Sequence, residues 1–271
     1  MAVKITMKTK KKGKMPNNNN TGTQAIDRAL SILNCFDFQH QTWDAQQLST
    51  KLDLTIATTK RILRALESQN LLKQIGKAGN YELGLRIFEL GAVAHSRISL
   101  VGEAKEILQK LYDETKQTIR LVEVDSDEYL YIYNIENNDA FRIISPVGIR
   151  RPLLLGSLGK SILSTYPPSL LDQFLSEHQF IQYTINTITD KPAYLQELAR
   201  VREKGFATDR EEVYNGVCSV AAPIIAKDGL AIGGIAVVFP VLDFNEEIMF
   251  EWGKLVRQGG INLSRRLLNK D

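Results

Sequence analysis

At 271 residues, with 44% hydrophobic and 24% charged residues, the chain has the size of two common domains and the composition of a folded globular protein. Its two cysteines, Cys35 and Cys218, lie far apart and give no disulfide framework, which fits a reducing cytoplasm. The longest apolar run, Leu230 to Phe239, is interrupted by Gly233-Gly234 and falls far short of a membrane span, and no hydrophobic core follows the basic opening that would make it a secretory signal.

Residues 1–20 hold six lysines and no acid, residues 21–90 carry +1, and residues 91–271 carry −4. The positive end is therefore the N-terminal one. A lysine arm of this kind can add sequence-independent phosphate contacts, or it can be a disordered, solubilising tether, as Pro16-Asn17-Asn18-Asn19-Asn20 suggests.

From Asp44 to Gly84 the pattern is helix, tight turn, helix and short hairpin, the plan of a winged helix-turn-helix. Asp44 is a good N-cap, with Gln47 completing a capping-box-like pair, and Leu48 and Leu52 share a face. Leu52-Asp53-Leu54 is a sharp turn, and Thr55 caps a second helix reaching about Gln69. Along it Thr59, Ile62, Leu63 and Leu66 form the buried seam. The opposite face shows Ala57, Thr58, Lys60, Arg61 and Arg64, short residues and cations without an acid. Such a face suits a DNA major groove, where small residues allow close approach and Lys and Arg meet phosphates or guanine edges. Leu71 to Ile75 and Asn80 to Leu83 read as the wing, made positive by Lys73 and Lys77. An ordinary amphipathic helix pair with a solvated cationic face is the bland alternative.

Residues 85–97 form a helical connector in which Leu85, Phe88 and Ala92 repeat at near-helical spacing. Phe88 and Leu90 are large for a solvated linker and call for a covering partner. Beyond Ile98 a helix to about Lys116 leads into strands Ile119–Val124, Tyr129–Ile135 and Phe141–Ile144. A helical middle follows, then strands near Val217–Ala226 and Ala231–Phe239, and a final helix Asn245–Leu268. Strands in runs with helices at both ends indicate an α+β sheet domain.

Catalysis is the less fitting reading of this half. Gly156-Ser157-Leu158-Gly159-Lys160-Ser161 has two residues between its glycines where a phosphate loop needs four. It reads better as a helix N-terminus whose amides at Ser157, Leu158 and Gly159 can hold a carboxylate. Cys218 has no nearby histidine and is a small strand residue. Asp209, Glu211 and Glu212 lack a reaction partner or metal-spaced histidine, so one faces a pocket and the others solvent or a salt bridge.

The chain resembles the IclR family of bacterial transcriptional regulators. The opening helix Thr23–Leu33 carries the likeness first, and Ala57–Leu63, Tyr81–Gly84, Pro152–Lys160, Lys204–Phe206 with Asp209–Glu212, and Ser219–Ile224 follow in the family's order and spacing. The resemblance covers about residues 21 to 268. It implies an α+β protein with an N-terminal winged helix-turn-helix (21–84), a linker helix (85–97) that helps pair two subunits, and a C-terminal GAF-like α/β effector-binding and oligomerisation domain (98–271). The basic tail occupies 1–20.

On the DNA side the implied contacts are Thr55, Ala57, Thr58, Lys60, Arg61, Arg64, Lys73 and Lys77. Carried over by position, the effector pocket is lined by Ser157, Leu158, Gly159, Asp209, Val217, Ser219, Ala236 and Val238. The chain departs from the family pattern at Ser219, where a Cys is usual, at Leu154, where His is frequent, and at Ala236, Val238 and Phe239, so its pocket reads as more apolar than the family norm.

The reading that follows is a cytoplasmic regulator without cofactor or metal. It binds double-stranded operator DNA as a homodimer or dimer of dimers and answers to a small carboxylate-bearing metabolite. Its alternatives are a constitutive DNA binder whose second domain only oligomerises, and a small-molecule enzyme fused to a DNA-binding domain.

Overall fold

The computed structural model describes residues 21–76, 79–96, 99–137 and 146–269. The basic tail, Lys77 and the strand expected at Phe141–Ile144 lie outside the described residues. The chain divides into two compact units that meet at residues 97 and 98.

The N-terminal unit packs helices α1 (Thr21–Leu33), α2 (Ala45–Leu52) and α3 (Ile56–Ser68) against the antiparallel hairpin β1 (Leu72–Ile75) and β2 (Asn80–Leu83). Local chemistry explains the element ends. Asp44 accepts from the Gln47 amide at 2.7 Å while the Gln47 side chain accepts from the Asp44 amide at 3.0 Å, closing the capping box that starts α2. Asp53, in the left-handed region, turns the chain, and Thr55 caps α3 by accepting from the Thr58 amide. The α3 seam of Thr59, Ile62, Leu63 and Leu66 is buried, joining Ile32, Leu48 and Leu72 in one core. Trp43 extends the hairpin by a bridge to Tyr81 and donates its indole N–H to the Cys35 carbonyl at 3.0 Å. Helix α4 (Leu85–Ser96) follows with no buried residue.

The C-terminal unit is an α/β domain. Among the described residues its sheet has six antiparallel strands in the order β5-β4-β3-β8-β7-β6. They are β3 (Thr118–Asp125), β4 (Glu128–Ile135), β5 (Arg150–Pro152), β6 (Ala207–Arg210), β7 (Val217–Ile225) and β8 (Ala231–Pro240). Helices α5 (Ser99–Thr115) and α9 (Glu246–Leu268) cover one face, and α6 (Gly156–Leu163), α7 (Pro168–Glu177) and α8 (Lys191–Lys204) belong to the other. Strand alternation sorts the side chains. Cys218, Val220 and Ala222 join the α5/α9 core, whereas Ala221, Ala236 and Val238 join the core beneath α6–α8. Trp252 of α9 packs edge-on against Phe239. The edge strands β5 and β6 are too short for their periodicity to stand out, and both fall inside what reads in the sequence as a helical middle.

Candidate functional site

The exposed face of α3 is built as its spacing requires. Thr55, Ala57, Lys60, Arg61 and Arg64 are exposed, and Thr58 is half-buried with its hydroxyl 2.9 Å from that of Thr55. The helix has no acid in its first turn, and Thr59, Ile62, Leu63 and Leu66 hold its back against the core. Rotation of the helix to turn the cationic stripe inward would expose that seam. The wing carries an acid opposite one of its cations. Lys73 is the register partner of Glu82, and their charged ends lie 3.7 Å apart, so this cation is offset within the hairpin itself.

In the C-terminal unit, register places the expected effector residues on one sheet face. Asp209, Ser219, Val238 and Thr118 are successive neighbours across β6, β7, β8 and β3, and Ala221, Ala236 and Arg120 form the next row on the same side. Val217 lies on that side of β7 as well and packs against the same core. Leu158 covers the sheet at Gly234. The Ser157 and Ser219 hydroxyls are 2.6 Å apart, and Ser219 also bonds the Asp209 carboxyl. If Ser157 is the donor in that bond, a ligand acceptor can take its hydroxyl proton only by replacing the serine–serine bond.

Gly159 is the member of the set that sits elsewhere. Its amide already donates to the Leu155 carbonyl, closing the first turn of α6, so it is not an available donor. A Cβ there would lie 2.0 Å from the Leu153 carbonyl oxygen, which shows that the residue serves close backbone packing. The amides of Ser157 and Leu158 precede that first intrahelical bond, and Leu155 supplies no side-chain cap.

Electrostatics mark the surroundings more strongly than the motifs suggested. Every residue of α6 is buried, including Lys160, which is 1% exposed and paired with Glu212, with Glu197 at 3.6 Å. Burial pushes the Asp209 carboxyl up to about 7, and Glu212 adds to the shift while the Lys160 ammonium opposes it. Glu211 instead holds a turn, accepting from the Gly216 amide at 2.6 Å. Burial also raises the Cys218 thiol to about 11, consistent with an inert strand residue.

The expected apolar lining gives way at the β3–β4 end of this face. Arg120 is 4% exposed and donates to the Tyr131 hydroxyl at 3.3 Å; Arg151 is 7% exposed and donates to the Tyr214 hydroxyl at 3.3 Å. Tyr129 is buried edge-on to Tyr131 and donates to the Leu155 carbonyl, tying β4 to the start of α6. The sequence holds one signal for this cluster, a cation inside the apolar strand Ile119-Arg120-Leu121. Arg151 and Tyr214 carry none.

Among the described residues no group of His, Cys, Asp or Glu has the arrangement of a metal site, and no helix is long and apolar enough to cross a membrane.

Comparison with known proteins converges on one family. The model described as the IclR helix-turn-helix domain matches residues 25–76, and the one described as bacterial transcriptional regulator IclR C-terminal matches residues 92–265. The HTH-type transcriptional regulator KdgR of Escherichia coli (strain K12) is 31% identical over 221 residues, spanning 82% of this chain and 84% of that protein. The HTH-type transcriptional repressor AllR of the same organism is 26% identical over 246 residues, 91% of each chain. Among solved structures, IclR of Thermotoga maritima superposes with a TM-score of 0.75 at 24% identity, covering 89% of this chain and 98% of its own. An IclR homolog from Microbacterium hydrocarbonoxydans complexed with 4-hydroxybenzoate gives 0.78 at 19% identity, covering 90% and 98%.

Proposed function

Because this chain belongs to the IclR family of bacterial transcriptional regulators, as both family models and the likeness to KdgR show, we propose that it reads operator DNA with α3 and couples that reading to a small organic acid held on the inner sheet face of its C-terminal unit. The observation that carries the DNA half is the one-signed exposed face of Ala57, Lys60, Arg61 and Arg64 on a helix whose back is locked into the core. Thr55, Thr58 and Lys73 would add contacts beside it, and Lys77 and the lysines of residues 1–20, outside the described residues, would steepen its salt dependence.

The effector half rests on buried polarity. Ser157, Leu158, Asp209, Val217, Ser219, Ala236 and Val238 share a face with two guanidiniums, Arg120 and Arg151, and with amides that precede the first turn of α6. Positive charge and helix amides in a low-dielectric setting favour a carboxylate, and Ala236 and Val238 favour an apolar or aromatic body. The relative that holds 4-hydroxybenzoate, an aromatic acid, supports the same ligand class.

On α4, Leu85 is 80% and Phe88 75% exposed, and a second copy of the chain covering them would pair two reading heads on an inverted repeat in the cytoplasm.

The test is a genome-wide footprint, followed by titration of aromatic and short hydroxy acids against the bound operator. Leu158→Asp should abolish the ligand response and leave operator binding intact, since it sets a buried negative charge against the anion. A normal response in that variant would move the effector site elsewhere. No thermal shift with any acid would favour a constitutive DNA binder.

A further inference from the structure

The far end of α6 borders a cavity of about 410 Å³, at the sheet edge between the C-terminal end of α8 and the helix α9. It opens where β6 stops: β6 pairs with Cys218–Ala221 of β7, so the run from Ala222 onward has no strand partner on that side among the described residues, and the Ile225 amide donates instead to the Ser264 hydroxyl of α9 at 2.8 Å. Val201, Pro223 and Ile261 give the cavity an apolar floor. Its volume is in the range of small-molecule sites.

Charge defines the occupant. Three arginines, Arg202, Arg257 and Arg265, line the cavity, and no Asp or Glu does. Arg257 and Arg265 flank Ile261 on one stripe of α9 at four-residue spacing and have no carboxylate partner among the described residues. Arg202 is anchored from the other wall, donating to the Ser164 carbonyl at 2.7 Å and the Tyr166 carbonyl at 3.1 Å. Gly205, at φ +78, ends α8 here, and a Cβ would fall 2.6 Å from Arg257 Nε, so glycine lets the guanidinium lie across the helix terminus. The C-terminal ends of α6 and α8 present roughly half a negative charge each. Three guanidiniums exceed that, so the cavity keeps a positive surplus over an apolar floor.

We propose that this cavity is a second ligand site, specific for small amphipathic organic anions, a carboxylate or phosphate on an apolar body. The anionic group sits between Arg257 and Arg265, each offering donors that its fold leaves unused, and the apolar body rests on Val201, Pro223 and Ile261. The site is separate from the effector face. Ser157 and Leu158 lie in the first turn of α6 and Ser164 follows its end, about 10 Å away along the helix at 1.5 Å per residue. A ligand here touches the same helix from its opposite end, so it can tune the effector response without competing for its groups.

The experiment is calorimetric titration of the full-length protein with phenyl phosphate, inorganic phosphate and neutral phenol. Phenyl phosphate should bind saturably at millimolar concentration or below, more tightly than either partial probe. Arg257→Gln with Arg265→Gln should weaken it about tenfold or more, and Arg257→Lys with Arg265→Lys should recover part of the loss. Both positions are exposed, so operator binding and melting temperature should hold. Leu158→Asp should bind phenyl phosphate like the wild type. No saturable binding, equal affinity for phenol, or an unchanged Gln variant overturns the proposal. So does loss confined to Leu158→Asp, which would place the anion at the first site. A Gln variant that changes sedimentation without any anion binding to the wild type assigns the surface to a second copy of the chain.

Discussion

Helices α3 and α6 both start from an extended residue, Thr55 and Leu155, and then diverge in how they treat their own ends. The Thr55 hydroxyl satisfies an amide of α3 and leaves the cationic face outside, with Lys60, Arg61 and Arg64 exposed. Leu155 supplies no side-chain cap, and α6 is buried at all positions from Gly156 to Leu163. A capped, exposed helix is complete by itself and turns its charge toward a partner. An uncapped, buried helix turns the amides of its first turn into the protein, where a small anion can accept from them. On the proposed function, α3 is finished before it meets DNA, whereas α6 is left open for a ligand.

Four changes would break or sharpen that contrast. The largest effect belongs to Gly159→Ala, whose methyl meets the Leu153 carbonyl oxygen at 2.0 Å. It should cost the C-terminal unit about 4 kcal/mol or more, read by urea denaturation, while α3 keeps its helicity. A mild loss would mean that α6 can shift, and that its tight seating is not what fixes its N-terminus.

Next is Lys160→Met, which strands Glu212 and Glu197 beside a lost ammonium. A cost of about 3 kcal/mol is expected from breaking a buried pair, with much of it recovered by adding Glu212→Gln. No recovery would point to packing rather than charge as the reason for the lysine.

On α3, Arg61→Ala should weaken operator binding by about 2 kcal/mol with no change in melting temperature, because the residue is exposed. Loss of stability in place of affinity would make α3 a structural helix like α6.

The smallest effect is a slope. The fold holds Asp209 protonated up to about 7, above its ordinary carboxylate value of 3.8, so the native state binds the extra proton in between. Its contribution is complete below about 4 and is lost as pH rises through about 7. Asp209→Asn should make the fall in thermal stability across that window shallower. An identical profile would place the proton elsewhere, with Glu212, also raised by burial, as the next group to change.

What was legible in the sequence follows the same divide. Surface helices announce themselves, since Asp44, Gln47 and Thr55 act locally and the α3 seam repeats at helical spacing. The long strands β3, β4, β7 and β8 were equally plain, and the alternation of Cys218 and Ser219 across β7 could be read from strand geometry alone.

Legibility failed where function depends on partners distant in sequence. Arg120 gains its meaning from Tyr131, Arg151 from Tyr214, and Lys160 from Glu212, fifty-two residues on. Gly159 reads in the sequence like Ser157 and Leu158, as a free amide at a helix start; only the approach of Leu153 reveals its packing task. The pairing of Lys73 with Glu82 is not legible in the sequence because it depends on hairpin register.

The chain has two tryptophans, and the fold gives one to each unit: Trp43 is wedged between the Cys35 carbonyl and Tyr81, and Trp252 lies against Phe239. Each indole therefore reports on its own half by emission, and replacing either with phenylalanine isolates the other signal. If the Trp43 signal melts at a higher temperature when an acid is bound by the C-terminal unit, the size of that displacement measures the free energy passed from one unit to the other. An allosteric linkage then becomes a quantity that a fluorimeter can follow without any DNA in the cuvette.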